Sequence, residues 1–210
     1  MAGTVRGKPR RALQTLILTA AAAALLVPLL AVFARSLPGV DAIWKAQRLT
    51  GLYAFTLAFF NVITGSMGIP VYRVFAPRLV MRVHRAFGIT VVALAVVHAG
   101  IGVARGFTGY SKLWVIGPVA LALILLTALT ALFRKSVSYW HVIHILNYVV
   151  LAILFVKVLV IGTDLRELAW LDAVFYVYMA IAVAGLTYRV SKLLYQRRRR
   201  ARSLAASSTS

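Results

Sequence analysis

Cysteine is absent from the 210 residues. Disulfides, thiolate metal sites, iron–sulfur clusters and covalently attached heme are excluded together. Acidic residues are almost missing too: Asp41, Asp164, Glu167 and Asp172 stand against 24 Lys and Arg, for a net charge of +20. No glycine-rich dinucleotide fingerprint follows a strand pattern, and there is no Walker motif. Flavin and nicotinamide domains are therefore not expected within the chain. Charge of any kind is scarce at 13% of residues.

What fills the chain is apolar. Hydrophobic residues make up 62%, with a mean hydropathy of +0.89, against about 45–50% for soluble domains. A water-soluble domain of this length has too small an interior for that content. The expected class is an all-α integral membrane protein. Six apolar stretches, over 12–33, 50–71, 86–104, 113–133, 139–162 and 170–188, each approach the roughly 20 residues that a spanning helix needs. The division expected is a basic N-terminus over 1–11, a six-helix domain over 12–190 and a basic, unstructured tail over 191–210. Gly65, Gly68 and Pro70 predict an irregular far end to the second span, and Pro28 and Pro118 are placed to bend the first and fourth.

Six spans put both termini on one face. That face carries 17 of the 24 basic residues, so it is expected to be cytoplasmic, in the inner membrane of a multi-pass protein. Arg10-Arg11 before an apolar run resembles a twin-arginine export signal, with Ala34-Arg35-Ser36 as a conceivable cleavage region. The run of about 22 residues exceeds the 7–15 of a signal core, which predicts an uncleaved first helix. Because the basic residues sit in loops and tails, anionic lipid is the expected counter-surface and nucleic acid is not.

Histidine is the remaining conventional metal ligand, at positions 84, 98, 141 and 144. Ionisable groups within a span are costly and point to function. Fourteen residues separate His84 from His98; in a helix that is a rise of about 21 Å and a net turn of about −40°, so both face one side. His84 and His144 open spans running in the same direction and share a depth. Imidazoles from two facing helices can ligate a heme iron axially within a bundle. They can equally form interhelical hydrogen bonds. His141, beside Tyr139 and Trp140, fits an interfacial belt. Arg82 and Arg85 flank His84 and can pair with heme propionates or serve as topology anchors. Gly88 permits close approach of either a flat ring or a neighbouring helix.

At these residues a resemblance appears. His84-Arg85-Ala86-Phe87-Gly88, followed by Val97-His98, resembles the third helix of the ferric-reductase-like transmembrane domain family. Trp140-His141-Val142-Ile143-His144-Ile145-Leu146-Asn147-Tyr148 resembles its fifth-helix pattern. The family includes the heme-binding membrane subunit of the methionine sulfoxide reductase system. The resemblance, over roughly residues 45–165, implies two stacked hemes b, each held between the third and fifth helices. His84 and His144 would take the cytoplasmic one; His98 would take the outer one, with a partner 13 residues beyond His144. That position is Lys157. Lys157 can snorkel outward toward Asp164, ligate iron as a neutral amine, or contact a propionate. The implied role is an electron-transfer subunit with one or two hemes b. Its donor would be a separate flavoprotein, bringing FMN or FAD, or quinol, and its partner an outer-side oxidoreductase or acceptor. Two other classes remain open: a non-redox scaffold or transporter component, for which no internal repeat is evident, and a quinol-oxidising cytochrome b with Lys157, Asn147 or Asn61 near the quinone.

Overall fold

The computed structural model describes residues 7–34, 41–66, 68–106, 115–161 and 168–207. Seven helices occupy them: α1 (Gly7–Ala34), α2 (Ala42–Ser66), α3 (Gly68–Val74), α4 (Pro77–Ala104), α5 (Ile116–Leu132), α6 (Trp140–Ile161) and α7 (Ala169–Ser207). Among the described residues there is no strand. α1, α2, α4, α6 and α7 are long and apolar enough to cross a membrane; α5, at 17 residues, is apolar but shorter. The architecture is that of a multi-pass membrane protein.

The element boundaries follow from local chemistry. Asp41 caps α2, its carboxylate accepting from the Ile43 N–H at 3.0 Å. The short α3 leads the chain into α4, which opens on Pro77 where a missing N–H costs nothing. Pro118 likewise falls in the first turn of α5, so it starts that helix and does not bend it. α7 continues through the basic run to Ser207, where composition alone predicted an unstructured tail. Arg, Leu and Ala are good helix formers, and a helix already started extends readily through them.

α2 is the central post. It packs against α1, α4, α6 and α7, while α5 packs mainly on α6 and also on α4. Phe55 stacks on Phe175 at 4.5 Å between ring centroids, and Phe59 on Tyr178 at 4.4 Å, which joins α2 to α7. The side chains of Arg10 and Gln14 on α1 both donate to the Val74 carbonyl that ends α3, at 3.2 and 2.7 Å. At the opposite end Arg105 lies 3.7 Å from Asp41. The start of α1, the end of α2, α3 and the start of α4 thus share one end of the bundle.

Candidate functional site

The interface of α2 with α4 is built twice. On α4, His84 and Gly88 recur as His98 and Gly102; on α2, Gln47-x-x-Thr50-Gly51 recurs as Asn61-x-x-Thr64-Gly65. Each repeat is offset by fourteen residues, about 21 Å of helix. The helices run antiparallel, so the first half of α4 meets the second half of α2.

At one level the Nδ1 of His84 lies 3.0 Å from the Asn61 carbonyl oxygen and 3.2 Å from Thr64 Oγ1. A carbonyl only accepts, so Nδ1 carries the proton and Nε2 keeps its lone pair. A Cβ at Gly65 would stand 3.1 Å from His84 Cε1. At the other level the Nδ1 of His98 lies 2.9 Å from the Gln47 carbonyl oxygen, and a Cβ at Gly51 would come within 2.8 Å of the ring. A Cβ at Gly102 would stand 3.3 Å from the Gln47 amide nitrogen, while one at Gly88 would meet the Asn61 amide in ordinary contact, at 3.5 Å and beyond. Small residues let the two backbones close in, as membrane interfaces require.

α6 completes the first level. The rings of His84 and His144 are 5.9 Å apart between centroids and inclined at 75°, with Trp140 5.9 Å from His144. Asn147 directs its amide nitrogen to the His144 Nδ1 at 3.2 Å and to the His144 carbonyl at 2.9 Å, and its oxygen accepts from Thr127 at 3.0 Å. In this arrangement the His144 proton sits on Nε2. Two buried polar atoms on the flanking helices, Asn61 Oδ1 and Tyr148 Oη, have no hydrogen-bond partner among the described residues.

At the second level the α6 residue is Lys157. It lies close enough to His98 to act on it electrostatically, and its Nζ would be 3.2 Å from a Cβ on Gly117, in the first turn of α5. Asp164 lies outside the described residues, as does the side chain of His141. Arg82 and Arg85 are exposed at the start of α4; relative to His84 they are turned by about −200° and +100° around the helix. Among the described residues no three His, Asp or Glu side chains converge.

Several site residues escaped the sequence reading. Two of the anchors are backbone carbonyls, which leave no trace in residue type. The repeated Thr-Gly and the His-x-x-x-Gly pair at a common offset are the signal that was available. No protein-family model matches the chain, and neither a curated protein nor a solved structure is similar to it.

Proposed function

We propose that this chain holds heme b between α4 and α6 and carries electrons across or into the cytoplasmic membrane. The donor is a separate flavoprotein or quinol, and the acceptor or partner oxidoreductase lies on the far side. Six helices cross the membrane in this reading, α5 included, with both termini cytoplasmic.

One observation carries the proposal: His84 faces His144 with its Nδ1 tied to a backbone carbonyl. That outer hydrogen bond is what orients a metal-ligating imidazole and fixes its tautomer. With their rings 5.9 Å apart between centroids, His84 and His144 would be the residues to hold the group between α4 and α6. Among the described residues no third His, Asp or Glu joins the pair, which suits a metal that brings its remaining ligands with it. Heme, when bound, supplies a one-electron couple within hydrocarbon. His84 and His144 hold it, Asn61 fixes the His84 ring, and the unpartnered Asn61 Oδ1 and Tyr148 Oη accommodate a polar group nearby. The His98 level, with Lys157 opposite, is the place for a second heme.

A second reading rests on Asn147. With its amide donating to the His144 Nδ1, His144 offers a proton and not a lone pair toward the space it shares with His84. The pair then serves as interhelical polar contact in a non-redox scaffold. Ligation requires the His144 proton to move to Nδ1 and Asn147 to turn its oxygen toward it. Heme per polypeptide in the purified chain, measured as pyridine hemochrome, decides between them. The expected value lies between one and two; His144→Ala is expected to remove the first heme and His98→Ala any second. Colourless protein from cells well supplied with porphyrin would overturn the proposal.

A further inference from the structure

The end of the bundle that holds His84 also contains a cleft of about 250 Å³, between the end of α2, α3 and α7. Tyr72, Tyr188, Arg189, Lys192 and Gln196 line it, with Gly65 in its wall. The α7 residues among them fall at 188, 189, 192 and 196, a spacing that places them along one stripe of the helix.

The charge of this cleft is uncompensated. Arg189 and Lys192 are both half-buried, and neither forms an ion pair or hydrogen bond among the described residues. The acids are too distant in the chain to help. Asp172 precedes Arg189 by seventeen residues of the same helix, about 25 Å, Asp41 sits at the opposite end beside Arg105, and Asp164 and Glu167 belong to the connection that precedes α7. Two half-buried cations without a counter-charge favour an anion that enters from outside. Among the described residues the Tyr72 hydroxyl is held only by the Met81 sulfur at 3.4 Å, a weak acceptor, so it can turn to a better one.

We propose that this cleft binds a phosphate group, with Arg189 and Lys192 supplying charge and Tyr72, Tyr188 and Gln196 supplying directed hydrogen bonds. Its volume falls below the 300–1,000 Å³ usual for whole small-molecule sites, which fits a headgroup or a single phosphate and not a dinucleotide. The source is either an anionic phospholipid or free phosphate. Gly65 lines the cleft, and a Cβ built on it would stand 3.1 Å from the His84 Cε1. The inference stands apart from the heme reading, since it uses none of the histidines as ligands.

The test uses the full chain, delipidated in an uncharged detergent at fixed ionic strength. Its thermal unfolding midpoint is followed against short-chain phosphatidic acid, short-chain phosphatidylcholine and inorganic phosphate. A saturable rise is expected with phosphatidic acid, because a ligand that binds the folded state raises its stability with concentration. A matching rise with inorganic phosphate identifies phosphate itself as the ligand, and its absence identifies the lipid; both support the site. The double change Arg189→Gln with Lys192→Gln is expected to weaken apparent affinity by roughly ten-fold or more. Arg198→Gln with Arg199→Gln, which removes equal charge outside the cleft, is expected to leave affinity nearly unchanged. Should the first double variant fail to fold, Lys192→Gln alone and Tyr72→Phe must each weaken binding measurably. No saturable rise in the native chain, a response to phosphatidylcholine equal to that to phosphatidic acid, or equal weakening in both double variants would overturn the proposal.

Discussion

At the scale of single residues, glycines and carbonyls decide how the imidazoles stand. Gly51 and Gly65 occupy equivalent places, yet a Cβ would meet the facing ring at 2.8 Å in the first case and 3.1 Å in the second. Gly51→Ala must therefore push His98 aside, while Gly65→Ala asks for a shift of only a few tenths of an ångström. Overpacking of this kind costs about 1–3 kcal/mol. Gly51→Ala is expected to lower the unfolding midpoint in detergent clearly more than Gly65→Ala, and equal effects would contradict the packing. Thr64→Val removes a hydroxyl that lies 3.2 Å from the His84 Nδ1. The main hydrogen bond, to the Asn61 carbonyl, survives, so the loss is expected near the lower end of the 0.5–1.5 kcal/mol usual for one hydrogen bond. His84 and His98 were legible in the sequence because ionisable residues stand out in apolar runs. Their acceptors were not, because every residue type carries the same carbonyl.

At the scale of elements, helix existence was easier to read than helix ends. Long apolar runs announce the spans, whereas Gly68 and Pro70, read as an irregular end, lie within the short helix α3. The extension of α7 was missed because charge-rich composition was weighed and helix propensity was not. The joint between α1 and α3 was invisible, since it depends on side chains sixty residues from the carbonyl they reach. Gln14→Ala is expected to remove the shorter of the two hydrogen bonds to Val74. Its effect should be local: faster amide exchange in α3 and the connection to α4, with the midpoint of global unfolding little changed. Protection unchanged in α3 would show that Arg10 alone suffices there.

For the whole molecule, the exposed surface is 13,992 Å², against roughly 9,600 Å² for a compact soluble protein of this mass. Large apolar side chains are exposed along the outside of the spans. α4 shows this most clearly, since only Val80 and Val91 are buried along it. The absence of native cysteine makes topology directly testable. If α5 spans, Arg11→Cys and Ser203→Cys are expected to react with an impermeant thiol reagent from one side of the membrane, and Arg105→Cys from the other. Labelling of the first two from opposite sides would mean an odd number of crossings and would remove α5 from the spanning set.

The doubled α2–α4 interface has a consequence for assembly. Were α4 to slide inward by fourteen residues, His98 and Gly102 would land on the seat shaped by Asn61, Thr64 and Gly65, and half of the native lock would close in the wrong place. Nothing in the lock itself forbids this slip. The solvent opposes it: the same displacement would drag Arg105 into hydrocarbon, at about 2.5–3.5 kcal/mol on insertion scales, and take α4 away from half of its seat on α2. The two helices recognise each other ambiguously, and the bilayer supplies the ruler that makes the match unique.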